Sequence, residues 1–121
     1  MIKDVIIEAL KMLNLSSEAE KVLAGEEEVT AELLRIYNLV VSELHDVYRR
    51  DDYATPPIAM SVNEAEADFY GVSPRVMAYG VCAEYCITQG LDEAELWDGR
   101  YKDALSLIKR KSRRIPGRRF C

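Results

Sequence analysis

A single histidine, a single tryptophan and two phenylalanines are spread over 121 residues. With so little imidazole the chain cannot build a histidine-rich metal centre. Even a Cys2His arrangement from Cys82, Cys86 and His45 needs a carboxylate to reach four ligands. The sequence has no Gly-rich phosphate loop, no H-E-x-x-H pattern and no serine or cysteine in a nucleophile motif. No apolar run approaches the roughly 18 residues of a membrane span. Asp4 and Glu8 interrupt any apolar leader, so a signal peptide is not expected. Cys82, Cys86 and Cys121 are an odd number of cysteines, whereas an oxidised secreted framework favours an even set, so reduced thiols in a cytoplasmic protein are expected. These absences point away from catalysis. The chain reads as a non-enzyme with no cofactor, no metal and no membrane partner.

Acidic residues are also missing from one place where chance would put several. The last thirteen residues, Lys109 to Cys121, hold seven of the sixteen basic residues and none of the twenty-one acidic ones. That end carries +7, and the other 108 residues, with 9 basic and 21 acidic, carry −12. The segment contains Pro116 and Gly117 and has too little apolar content for a core, so it is expected to be mobile until something negative orders it. Nucleic acid, an acidic partner protein or the acidic body of a neighbouring copy would each serve.

The rest of the chain has the length and the 49% hydrophobic content of one ordinary domain. Ile2, Val5, Ile6, Ala9, Leu10 and Leu13 follow the helical period, and Asn14 to Ser17 breaks it. Ser17 with Glu20 matches a capping box for a short second helix ending at Ala24-Gly25. Thr30 is the expected N-cap of a third helix over about 31–50, after the acidic run Glu26–Glu28. Pro56 and Pro57 exclude helix in the 51–72 connection, where Ile58 to Val62 is a candidate short edge strand and Asn63 a candidate cap for one or two turns. Ser73-Pro74 opens a fourth helix that is apolar almost all round and ends at Gly90, so it is expected to be central or to line an interface. Gly80 lets a neighbour approach it closely. A last helix over about 93–111, capped by Asp92 with Glu95, follows a three-residue loop and should lie antiparallel. The expected fold is all-α: a four- to five-helix bundle over 1–111, an irregular connection at 51–72 and a basic tail over 112–121.

Cys82 and Cys86, one turn apart, read as small core residues. His45, between Leu44 and Asp46, reads as a solvent-facing or rim residue, and Glu26–Glu28 as a solvated run that complements a helix dipole. Tyr79, Tyr85, Trp97 and Tyr101 sit at helical spacing, which usually means core; Tyr79 and Tyr85 are the candidates for an interface between copies. In the tail, Ile115 and Phe120 interleave with Arg113, Arg114, Arg118 and Arg119. That pattern favours a docking peptide over a nucleic-acid arm or a frayed end.

The segment Tyr79 to Leu105, Y-G-V-C-A-E-Y-C-I-T-Q-G-L-D-E-A-E-L-W-D-G-R-Y-K-D-A-L, resembles phage and prophage head–tail connector proteins of the adaptor type. The basic segment Arg113 to Phe120 and the stretch Arg35 to Leu44 are similar to the same family. Members tend to carry a longer, β-rich insertion where this chain has only residues 51–72. The resemblance implies a structural protein that joins a homo-oligomeric ring between the capsid portal and the tail-side neck proteins, with DNA passing nearby without specific recognition. It implies that Arg113, Arg114, Ile115, Arg118, Arg119 and Phe120 dock on the portal. The location would be host cytoplasm during assembly, then the head–tail junction of the virion. The rival expectation is a small nucleic-acid-binding regulator that uses the basic arm.

Overall fold

The computed structural model describes residues 1–48, 57–69 and 71–117, with backbone alone at 47–48 and 109–117. Five helices lie in it: α1 (Ile2–Met12), α2 (Ser16–Leu23), α3 (Glu27–Tyr48), α4 (Pro74–Gln89) and α5 (Ala94–Gly117). Among the described residues there is no strand, so the fold is an all-α small helical bundle.

The first, second and fourth helices stop in the same way. Asn14 takes the left-handed conformation at φ 61° after α1, Gly25 at 78° after α2 and Gly90 at 66° after α4. In each case the next amide reaches back to a carbonyl in the last turn: Leu15 N–H to Leu10, Glu26 to Lys21 and Leu91 to Cys86. The residue in the left-handed position donates to a second carbonyl, completing a Schellman stop. Such stops let the chain reverse within three or four residues, which joins α1, α2 and α3 by short connections and folds α5 back on α4.

α4 is the central element. Met77, Ala78, Gly80, Val81, Cys82, Ala83 and Cys86 are all buried, and the helix packs against α5, α1 and α3. Ser73 caps its start, accepting from the Val76 amide at 3.3 Å, and Pro74 occupies the first helical position. α1 contributes Ile2, Val5, Ile6, Ala9 and Leu10 to the core; α3 contributes Leu33, Ile36, Tyr37, Val40, Val41 and Leu44; α5 contributes Trp97 and Tyr101. At Gly80, α3, α4 and α5 meet closely. A Cβ there would lie 2.9 Å from Val40 Cγ1 and 2.9 Å from the Tyr101 ring.

Several boundaries differ from the sequence reading. α2 begins at Ser16 with Leu15 as its uncapped N-cap residue, so Ser17 lies inside the helix and makes no box. α3 begins at Glu27, not 31, because the stop after α2 delivers Glu26 directly into a helical start. Thr30 is therefore inside the helix, where its amide bonds to Glu26 O. Glu27 and Glu28 occupy the first turn, still at the positive end of the dipole. α5 starts at Ala94 and continues past 111 to Gly117. Lysine and arginine are good helix formers, and nothing in 109–115 stops the helix before Pro116-Gly117.

The connection at 57–69 forms neither the expected strand nor turns of helix. Among the described residues its one bridge pairs Phe69 with Val72, beside Gly71 at φ 79°. A strand needs a neighbouring strand, and among the described residues only helices surround this segment. Its polar groups are satisfied by side chains and helix ends instead. Asn38 clamps Ala59 from both sides, donating to its carbonyl at 3.1 Å and accepting from its amide at 3.0 Å. The Tyr37 hydroxyl accepts from the Ala67 amide at 2.9 Å. Glu64 accepts from the Met60 and Ser61 amides at 2.7 and 2.8 Å. The carbonyls of Glu64 and Val62 then accept from the first amides of α1, Ile2 and Lys3, at 2.9 and 2.8 Å. The segment is thus a strap that caps α1 and is tied down by α3. Residues 49–56 and Tyr70, the remainder of the expected 51–72 connection and the end of the expected third helix, lie outside the described residues.

Candidate functional site

The residues singled out for chemistry are dispersed. Cys82 and Cys86 are buried in α4. Cys82 Sγ donates to the Ala9 carbonyl at 3.3 Å, and burial pushes its thiol up to about 12, so it is held as a neutral thiol. Both behave as the small core residues expected. Among the described residues no three His, Cys, Asp or Glu side chains gather as a metal group.

His45 corrects its expectation. It is 4% exposed rather than at the rim, and its Nε2 has no hydrogen-bond partner among the described residues. The reason is register: His45 lies one turn beyond Val41 and beside Leu44, both wholly buried on α3, so the core stripe carries it inward.

Tyr79 and Tyr85, the expected interface pair, leave α4 in different directions. Tyr79 is half-buried against α5, its ring 6.2 Å from that of Trp97. Arg75 lies 5.9 Å over the Tyr79 ring and donates to its hydroxyl at 3.3 Å, while Arg100 lies 5.0 Å over Trp97. This Arg–Tyr–Trp–Arg row ties the start of α4 to α5. Tyr85 is half-buried on the side of α2 and α3; burial raises its hydroxyl pKa, with Glu18 and Glu32 adding to it. The six-position step from Tyr79 to Tyr85 turns the helix through a net angle of about 240°. They serve two separate surfaces, not one.

The expected docking residues divide at the end of α5. Arg113, Arg114 and Ile115 lie on its last turns, so the basic segment is largely helical backbone continuous with the bundle rather than a coil beginning at 112. Arg118, Arg119 and Phe120 lie outside the described residues.

Two surface features escaped the sequence reading. The first is a cleft where α3, α4 and α5 meet, of about 160 Å³, bordered by Glu43, Glu84, Asp98 and Lys102 over Leu44, Ala83 and Leu105. Lys102 pairs with Asp98 at 2.9 Å. Partial burial raises the pKa of Glu43, and the like charges of Glu84 and Asp98 raise it further. The second is an apolar groove on the opposite side of α3. One stretch, of about 460 Å³, is lined by Ala31, Leu34, Asn38, Leu39 and Ile58 with Arg35 and Ser42. It shares Ala31 and Leu34 with a second stretch of about 690 Å³ that runs past Met60, Val22 and Thr30 to Glu27 and Lys3. Leu39, Ile58 and Met60 are 42, 48 and 86% exposed. Leu39 falls outside the core stripe of α3, and that was the available signal. The strap residues Ile58 and Met60 had none, because only the clamp by Asn38 brings them beside α3.

No family model, curated protein or solved structure matches this chain. No helix among the described residues is long and apolar enough to cross a membrane.

Proposed function

We propose that this protein is a structural component of a phage neck: an adaptor that assembles as a ring between the capsid portal and the tail-side neck proteins and carries out no catalysis. Arg113, Arg114, Ile115, Arg118, Arg119 and Phe120 form the portal-docking segment, and DNA passes near the ring without sequence recognition. The observation that carries the reading is the charge division along one helix. The front half of α5 is fixed to the bundle through Trp97 and Tyr101, and the same helix continues into a segment with seven basic residues and no acidic one. A helix anchored to the bundle at one end and rich in arginine at the other suits attachment to a large acidic partner. The resemblance of Tyr79 to Leu105 and of Arg113 to Phe120 to connector adaptors is what supports a portal as that partner.

The test is size-exclusion with light scattering on the protein mixed with the portal ring of its own phage. Three forms are compared: full length, a chain ending at Ile108, and a full-length chain with Arg113, Arg114, Arg118 and Arg119 changed to serine. Co-elution at ring mass for the full-length protein alone supports the reading. Failure of the full-length protein to co-elute removes it and leaves the nucleic-acid arm, whose signature is duplex-DNA affinity that falls steeply with salt. The serine variant separates loss of docking from loss of folding in the shortened chain.

A further inference from the structure

We infer that the apolar groove on α3 is a docking site for the basic C-terminal segment of a second copy of this chain. This inference stands on the groove and the segment alone and does not require a portal.

The groove offers what an arginine-rich segment with apolar anchors needs. Its floor is Ala31, Leu34, Leu39 and Ile58, and Met60 of the adjoining stretch stands 86% exposed. Exposed apolar side chains grouped along one groove mark a surface that expects cover. Among the residues that line it, Glu27 stands against Lys3 and Arg35, and Arg35 is already held by Glu32 at 2.9 Å. Glu26 and Glu28 flank Glu27 in the sequence, which makes the start of α3 the acidic end of the groove. The segment Arg113 to Phe120 is the complement: four arginines with Ile115 and Phe120 among them. Arginine suits such a site because its guanidinium pairs with carboxylates in a fixed fork and lies flat on apolar surface. The carboxylates at the start of α3 repel phosphate, which disfavours a nucleic acid as occupant of that end.

Geometry makes the contact intermolecular. Val40 meets Gly80 of α4 near the Tyr101 ring of α5, so that side of α3 faces the segment's own helix. Ala31 is nine residues from Val40, about half a turn around the helix, and the groove therefore faces away from α5. The basic segment is helical to Gly117 and continuous with a helix pinned at Trp97 and Tyr101. Arg113 and Arg114 cannot turn back around α3 without breaking that helix. The cleft of Glu43, Glu84 and Asp98 is the competing acceptor. It offers charge, but its apolar lining is buried Leu44 and Ala83 with half-buried Leu105, leaving no exposed seat for Ile115 and Phe120.

The chain supplies its own reporter, since Cys121 ends the basic segment while Cys82 and Cys86 are buried. Met60→Cys places a thiol on the groove, and Lys102→Cys and Gln89→Cys place one at the competing cleft and at a remote surface. Each full-length protein is oxidised at low salt in the micromolar range, run on a non-reducing gel and mapped by peptide mass. The expected result is covalent dimers and larger species linking residue 60 to 121. They should form on the order of tenfold faster than the links from 102 or 89 or the 121–121 background, because docking raises the local thiol concentration. High salt, and serine at the four arginines, should abolish the advantage. Equal rates at the three positions, faster linkage at 102, or a 60–121 link within one chain would each overturn the proposal. A second measurement needs no new cysteine. Sedimentation velocity of the wild type should show weak, salt-sensitive self-association that Leu39→Lys with Ile58→Lys removes, and a concentration-independent monomer at low salt would also overturn it.

Discussion

Replacing Gly80 by alanine should destabilise the fold, although the same replacement stabilises most helices. In a helix interior, glycine to alanine is worth about 0.5–1 kcal/mol in favour of the folded state. At Gly80 the new methyl would stand 2.9 Å from Val40 Cγ1, 2.9 Å from Tyr101 Cε1 and 3.0 Å from Tyr101 Cζ. All three atoms belong to buried side chains, so none is a free end that swings into solvent. Either α3 or α5 must move off α4. Overpacking of this kind costs about 1–3 kcal/mol, which leaves a net loss of about 1 kcal/mol at the middle of both ranges and up to about 2.5. For a chain of this length a loss of about 1 kcal/mol lowers the Tm by roughly 4–5 °C. The control lies in the same bundle. Gly99 is in α5, exposed, with nothing within 4 Å of its built Cβ, so Gly99→Ala should stabilise by about 0.5–1 kcal/mol. Urea and thermal unfolding followed by helical circular dichroism measure both. If Gly80→Ala is as stable as the wild type or more so, the three helices do not meet at Gly80 as described, and the close-approach argument fails.

Three further outcomes follow from the strap, the thiols and the acidic cleft. Tyr37→Phe removes the acceptor of the Ala67 amide and should cost about 1–2 kcal/mol, with faster hydrogen exchange at Ala67. Asn38→Leu, which orphans both Ala59 groups, should cost as much or more and loosen 57–64 first; unchanged exchange at both sites would show that the strap is not held from α3. In a Cys121→Ser protein, native thiol labelling at pH 8 should be slow and proportional to the unfolding equilibrium, because Cys82 is buried with its pKa near 12; prompt labelling of Cys82 would contradict that burial. Glu43 has its folded pKa raised above the ordinary 4.5, so its ionisation disfavours the fold as pH rises through that value. Glu43→Gln should therefore gain a few tenths, about 0.3 kcal/mol, at pH 7 and nothing at pH 3.5, the small size reflecting solvent screening of a largely exposed group. A gain that grows toward low pH would reverse the sign of the reasoning.

The helices were legible because their signals are local. The apolar period of α1, the Ser73-Pro74 start, and Gly25 and Gly90 each act within four or five residues, and the structure places them as read. Gly80 as a site of close approach was legible for a similar reason: a glycine inside an otherwise apolar helix has few other uses. The errors came where two elements compete for the same residues. Thr30 looks like a cap only if α2 and α3 are separated, and the stop at Gly25 leaves no room for a linker. His45 looks polar by type, and its burial is decided by the register of Val41 and Leu44 on a helix packed from more than one side. The strap at 57–69 resembles a strand in composition, but its hydrogen-bond partners come from Asn38, Tyr37 and the start of α1, up to sixty residues away. No local pattern encodes a partner at that distance. The groove on α3 was hidden for the same reason, since Met60 reaches it only through the strap.

That strap also bears on the order in which the chain can assemble. The amides of Ile2 and Lys3 receive their acceptors from Glu64 and Val62, because Met1, the N-cap residue of α1, makes no side-chain cap; Asp4 reaches back only to the Met1 amine, at 3.2 Å. An isolated helix of eleven residues is marginal in water, and a methionine at the N-cap does not offer the oxygen that serine, threonine, aspartate or asparagine would. During synthesis α1 emerges ahead of the other four helices, yet its first turn must wait for some sixty further residues and for α3 to hold the strap in place. The earliest of these five helices is therefore among the last to become complete, and it exposes Ile2, Val5 and Ile6 until then.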